Sequence, residues 1–335
     1  MKNLLNRRDF IKTTAVTSLG LGLGASAIGK NMQIETGKRV GIIGLDTSHV
    51  IAFTKALNAS PANADYKGYT VVAAYPYGSK TIKSSADRIP KYTEDIKKMG
   101  VSIVGSIEEL LEKVDVVLLE TNDGRLHLEQ ALPVFKAGKR MFIDKPIAAS
   151  LEDAVAIFEA SGKFNVPVFS ASSLRYIKGA NELVKSEVIG AATFSPASLE
   201  ETHPDLFWYG IHGVETLFTV MGTGCQEVVR VSTADTDVVV GTWEGGRIGT
   251  FRGTRSGKSG YGGTVYTTGG IKALGPYGGY EPLLLEIVSF FETGQVPVSP
   301  EETLEIFAFM EAADESKRRG GIPVNMQEVL KRSKS

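Results

Sequence analysis

The chain has 335 residues, enough for two domains of about 100 to 200 residues each. Its 37 Lys and Arg against 38 Asp and Glu leave a net charge of -1, which excludes an electrostatic footprint for nucleic acid or an anionic membrane. A single cysteine, Cys225, excludes intramolecular disulfides and any cysteine-built zinc or iron-sulfur site.

In chain order, the first feature is Asn6-Arg7-Arg8-Asp9-Phe10-Ile11-Lys12, followed by a Gly/Ala/Thr-rich apolar stretch that ends in Ala25-Ser26-Ala27. A charged start, a short apolar run and an A-x-A site form the export pattern, and with the paired arginines the segment resembles a twin-arginine signal peptide. An amphipathic helix fits less well, because Gly20, Gly22 and Gly24 would each weaken it by about 0.8 to 1 kcal/mol relative to Ala. Residues 1–27 are therefore set apart as a signal and 28–36 as a linker. Without the signal the charge is -4. The twin-arginine route carries folded proteins, which suits the cysteine count and predicts a periplasmic location. No other segment has 18 consecutive apolar residues, so no membrane span is expected after signal removal.

From residue 37 to 172, short apolar runs alternate with helical patterns, which predicts a doubly wound parallel α/β sheet. The strands are expected at Arg39–Ile43, Tyr69–Ala74, Val101–Val104, Asp115–Leu119, Arg140–Ile143 and Pro167–Ser170. Helices fall at Val50–Asn58, Ile107–Lys113, Leu128–Ala137 and Leu151–Ser161. Ser106 and Ser150 suit N-caps, and Gly138 and Gly162 suit left-handed C-terminal caps. Residues 173–335 read as a second, α+β domain with a mainly antiparallel open sheet. Strand-like runs occur at Ala191–Leu199, Val228–Thr233, Thr236–Trp243 and Arg247–Arg252, with Gly245-Gly246 as a hairpin turn. A helix is expected near Trp208–Met221. Gly257–Gly279 carries nine glycines with Tyr261, Tyr266 and Tyr277 and reads as strands and tight turns, before helices at Glu281–Glu292 and Pro300–Arg319.

The turn after the first strand reads Gly44-Leu45-Asp46-Thr47-Ser48-His49. A dinucleotide fingerprint G-x-G-x-x-G aligned on Gly44 puts Asp46 at the second glycine and His49 at the third. A carboxylate there would repel a pyrophosphate, whereas Thr47 and Ser48 sit where helix N-terminal amides bind an anion. Asp46 reads equally well as an N-cap. After the second strand, Tyr75-Pro76-Tyr77-Gly78-Ser79-Lys80 stands where an acidic residue usually grips the adenosine ribose; Ser79 and Lys80 suit a 2'-phosphate, so NAD and NADP both remain open.

At the fifth strand the sequence Phe142-Ile143-Asp144-Lys145-Pro146 is similar to the E-K-P motif of the Gfo/Idh/MocA oxidoreductases, with Asp for Glu. Thr121, Asn122, Asp123-Gly124 and His127 resemble that family's turn after strand four, and Arg175-Tyr176 and Gly210-Ile211-His212 resemble its second domain. The resemblance runs over about residues 38 to 320. It implies Lys145 and His212 as catalytic residues, with hydride moving between NAD or NADP and a hydroxyl of a sugar or polyol. His212 would be the base and Lys145 the cation that orients the oxygen. It implies cofactor contacts at Gly44, Asp46, Thr47, Ser48, His49, Thr121, Asn122, His127, Asp144 and Lys145. For the substrate it implies Arg175, Tyr176, Trp208, Tyr209 and Glu215. Trp208 stands where the family has an aspartate four residues before the histidine, and Glu215, at i+3, is the substitute partner for His212. The resemblance also implies a homo-oligomer through the second domain's sheet.

Two other functions use the same residues differently. One is a hydrolase, lyase or epimerase acting on a sugar, whose metal variant would draw on His212 and Glu215 with His203. The other is a sugar-binding protein without catalysis. No metal site is assigned.

Overall fold

The computed structural model describes residues 37–333; the signal and linker expected over residues 1–36 lie outside them. Six strands, β1 (Arg39–Ile43), β2 (Thr70–Tyr75), β3 (Ser102–Ile103), β4 (Val116–Leu119), β5 (Met141–Ile143) and β6 (Val168–Ser170), form a parallel sheet in the order β3-β2-β1-β4-β5-β6. Side chains alternate between faces, so Val40, Ile42, Val116, Leu118 and Phe142 enter one apolar core while Ile43, Val117, Leu119, Met141 and Ile143 enter the other. Covering both faces explains why these strands read as unbroken apolar runs.

The helices of this half are α1 (Ser48–Leu57), α2 (Lys83–Ala86), α3 (Ile89–Lys98), α4 (Ile107–Lys113), α5 (His127–Lys136) and α6 (Leu151–Phe164). Ser106 and Ser150 cap α4 and α6, each accepting from the backbone N–H three residues on, as expected. Gly138 takes the left-handed conformation after α5. Gly162 does not end its helix: α6 continues to Phe164, and Asn165 adopts the left-handed cap.

The second sheet contains β7 (Val188–Pro196), β8 (Cys225–Ser232), β9 (Thr236–Trp243), β10 (Ile248–Thr254), β11 (Gly262–Thr267), β12 (Gly270–Leu274) and β13 (Val324–Asn325), in the order β12-β11-β7-β10-β9-β8-β13. Only β7 and β10 pair in parallel; the other neighbours are antiparallel. The α/β class with a second, mainly antiparallel sheet is therefore borne out. Where one helix was expected near Trp208–Met221 there are two, α7 (Asp205–Trp208) and α8 (Ile211–Met221). Behind them α10 (Pro300–Arg318) packs Phe307 on Phe207 and Phe309 on Phe218 and Trp243. The terminal β13 and the helix α11 (Met326–Arg332) were not expected from the sequence.

One element crosses the halves. Helix α9 (Glu281–Thr293) follows the second sheet in sequence, yet Leu283, Leu284, Ile287 and Phe290 join the core under β1, β4 and β5. Phe290 meets Phe169 of β6 edge to face at 5.0 Å. The segment leading into α9 is thereby laid across the carboxyl ends of the first sheet.

Candidate active site

The loops at those carboxyl ends are tied together by Asp46. Its carboxylate accepts from the backbone N–H of Ser79 at 3.0 Å and of Asn122 at 2.9 Å, joining the segments after β1, β2 and β4. Burial is the main cause that pushes its pKa up to about 6, against the two N–H donors. The glycines of this region are required by close approach. At Gly44, with φ +87°, a Cβ would lie 2.4 Å from Thr121 Oγ1, and at Gly78 it would lie 2.4 Å from Asp46 Oδ2. Asp46 is thus neither an N-cap, a position held by Thr47, nor a charge turned toward a ligand. The carboxylate faces into the loops rather than the cleft.

Beside this knot a cleft of about 750 Å³ opens between the two sheets. From the first half come Thr47, Ser48, His49, Arg88, Asn122, Asp144 and Lys145; from the second come Trp208, Tyr209, His212, Tyr261, Tyr277 and Tyr280. Lys145 Nζ lies 6.0 Å from the centre of the Tyr209 ring, and the His212 ring lies 5.7 Å from the same ring. The two residues with the strongest sequence claim to catalysis therefore flank one aromatic side chain from opposite halves. Tyr280 closes the cleft at the start of α1, its hydroxyl 3.3 Å from Ser48 Oγ and its ring 4.5 Å from that of His49.

His212 has an unexpected partner. Ser172 Oγ is 2.6 Å from its Nδ1, and that same oxygen accepts from the Leu174 N–H at 3.1 Å. Burial, then the charges of Lys145 and His49, hold His212 well below its ordinary pKa, so the ring is neutral and able to take a proton. A serine hydroxyl can donate or accept, so it tolerates either tautomer of the imidazole. A carboxylate would hold the proton on Nδ1.

Several expected contacts are corrected. Glu215 does not reach His212: it accepts from the Ser172 N–H at 2.8 Å and pairs with Arg175 at 3.0 Å. Arg175 also pairs with Glu302 at 2.7 Å, so it and Glu215 form a buried strut behind the cleft instead of a substrate contact. The Tyr176 hydroxyl is likewise buried away from the cleft, and burial raises its pKa. His127 is wholly buried, with Nε2 2.6 Å from the Thr121 carbonyl oxygen and Nδ1 3.1 Å from that of Ile147; it staples two loops rather than touching a cofactor. Gly44 and Thr121 pack on each other behind the cleft. His203 sits 3.7 Å from Asp123, with its pKa lowered to about 4 chiefly by burial. The metal grouping of His212, Glu215 and His203 therefore does not assemble.

Arg88, Glu120, Ser172 and the tyrosines 261, 277 and 280 were not singled out for this site from the sequence. The glycine-rich stretch with its tyrosines carried the signal for two of them. Glu120, a charge ending the apolar strand β4, carried another.

A parallel sheet in this strand order, with a polar cleft at its carboxyl ends and a second sheet beyond, is an architecture of the dinucleotide-binding kind. Residues 38–172 match the sequence profile of the Gfo/Idh/MocA family, described as an oxidoreductase family with an NAD-binding Rossmann fold. The fold is shared with a probable dehydrogenase from Thermotoga maritima, at a TM-score of 0.69 and 21% identity over 87% of this chain and 99% of that one. It is also shared with scyllo-inositol dehydrogenase from Lactobacillus casei, solved with NAD(H) and scyllo-inositol, at a TM-score of 0.67 and 14% identity over 86% and 99%. A curated relative, an uncharacterized oxidoreductase of Streptococcus pneumoniae, is 28% identical over 156 residues, which cover 41% of this chain and 42% of that protein.

The polar groups lining the cleft suit the phosphate end of such a cofactor. Thr47 and Ser48 at the start of α1, with Arg88, would hold the phosphates, and Asn122, Asp144 and Lys145 line the ground beyond.

Proposed function

We propose that this chain is an oxidoreductase that interconverts a secondary hydroxyl and a carbonyl on a sugar or polyol, with NAD or NADP as its redox partner. The observation that carries it is the placement of a neutral His212 and of Lys145 on either side of Tyr209 in one cleft. A nicotinamide bound there supplies the acceptor, or the donor, of hydride. In the oxidative direction His212 takes the hydroxyl proton on Nε2, while the Lys145 ammonium stabilises the negative charge developing on the oxygen. Trp208, Tyr209, Tyr261 and Tyr277 offer the aromatic faces and hydroxyls on which a ring of carbinol carbons can lie. The test is the appearance of reduced nicotinamide when purified protein meets NAD or NADP and a panel of inositols and aldoses. Turnover by the protein and its loss in Lys145→Ala support the reading; turnover unchanged in Lys145→Ala rejects it.

Two further expectations belong to this reading. Residues 1–27 act as a twin-arginine export signal to the periplasm, so a reporter fused to residues 1–35 is exported, and changing Arg7 and Arg8 to Lys retains it. The exposed apolar side chains Phe194, Ile248, Tyr266 and Ile271 on the second sheet support self-association through that sheet. A monomer in sedimentation would contradict it.

A further inference from the structure

We propose that His49, Glu120 and Asp144 bind one divalent transition-metal ion at the floor of the cleft. The topology brings them together: β1, β4 and β5 are neighbours in the sheet, Glu120 and Asp144 directly follow β4 and β5, and His49 lies in the first turn of the helix after β1. His49 Nδ1 is 3.0 Å from Asp144 Oδ1 and 3.6 Å from Glu120 Oε2, and one ligand atom from each residue lies within 4.8 Å of the others. Two atoms each about 2.1 Å from an ion, at angles between about 90° and 109°, are about 3.0 to 3.4 Å apart, so His49 and Asp144 stand at coordinating distance and Glu120 needs only a small approach.

The second observation is what these atoms lack. His49 is 6% exposed and the two carboxylates 0%, yet beyond His49 Nδ1 and the Lys145 backbone N–H beside Asp144 their four oxygens collect no donor. Buried carboxylates ordinarily collect donors. A proton on Nδ1 serves one oxygen well and leaves two fully buried carboxylates side by side. A divalent ion neutralises both carboxylates and takes the imidazole lone pair. One nitrogen with two carboxylate oxygens suits Mn²⁺, Fe²⁺ or Zn²⁺ better than the all-oxygen preference of Ca²⁺ or the thiolate preference of Cu⁺. His49 and Asp144 also line the cleft, so the remaining coordination positions are open to water or to a substrate oxygen near Lys145 and His212.

The site needs no nicotinamide, and its test is independent of turnover. Chelator-treated protein titrated calorimetrically with Mn²⁺ or Zn²⁺ should bind one ion per chain. The affinity should rise with pH, because the ion displaces a proton from His49. His49→Gln and Glu120→Gln should each weaken binding by about 10²-fold or more, while His203→Gln leaves it unchanged. The ion should raise the unfolding temperature of the wild type and not of the two ligand variants. X-ray absorption on the wild-type complex gives a reading that depends on no variant, and should show a shell of nitrogen and oxygen at about 2.0 to 2.2 Å. Failure of the wild type to bind either ion at millimolar concentration, or equal binding by the wild type and both ligand variants, overturns the proposal.

Discussion

If Asp46 holds three loops together, Asp46→Ala and Gly78→Ala should be coupled. Asp46→Ala strips two buried backbone N–H groups, of Ser79 and Asn122, of their acceptor. Each loss costs about 1 to 3 kcal/mol. Relief of the buried charge offsets part of this: a carboxyl whose pKa is raised from 3.8 to about 6 is held ionised at neutral pH against about 3 kcal/mol. A net loss of about 1 kcal/mol is expected. Gly78→Ala alone drives a methyl group to 2.4 Å from Oδ2 and 2.6 Å from Cγ of Asp46. Overpacking of that kind costs about 1 to 3 kcal/mol. In the Asp46→Ala background both atoms are gone and only the Cβ at 3.1 Å remains, so Gly78→Ala should cost much less, giving a coupling of about 1 to 2 kcal/mol. Urea unfolding of the four proteins at constant m measures it. Strict additivity would refute the packing of Gly78 on Asp46 and with it the account of the loop.

The same carboxyl sets a pH dependence. Its folded pKa is raised, so its contribution is full below about pH 4 and is lost as pH rises through about 6; the stability gap between wild type and Asp46→Asn should shrink by about 3 kcal/mol over that window in urea titrations. Because His212 is held well below its ordinary pKa, kcat/KM should stay flat on lowering the pH through about 6.5, whereas Ser172→Asp, placing a carboxylate at Nδ1, should move the acid limb upward. Arg230, fully buried among Asp205, Asp237 and Asp314, anchors the helix that carries Trp208; Arg230→Met should cost about 3 kcal/mol in denaturant unfolding, since Asp314 loses its partner while Asp205 and Asp237 keep Lys317 and Arg255.

The first sheet was legible because strands buried on both faces leave unbroken apolar runs, and β1 and α4 match their expected bounds. That Lys145, His212, Trp208 and Tyr209 share one cleft was legible from motif order. What was not legible depends on tertiary placement. Nothing local distinguishes α9 as a helix of the first sheet's core, since its apolar face would suit either sheet. Glu215 sits one turn from His212 in sequence, but it is claimed by Arg175 and the Ser172 N–H, both more than 35 residues away in the chain. Asp46 was misread for a related reason: its acceptors' partners come from two other loops, and local spacing shows only the helix it precedes.

The most direct test of the central claim is a kinetic double-mutant cycle on His212 and Lys145 with a polyol and NAD or NADP. If both act on one oxygen in one cleft, His212→Ala and Lys145→Ala should each lower kcat by about 10²-fold or more, and the double variant should lose far less than the product of the two. Full turnover in either single variant, or independent multiplicative losses, would contradict the shared site.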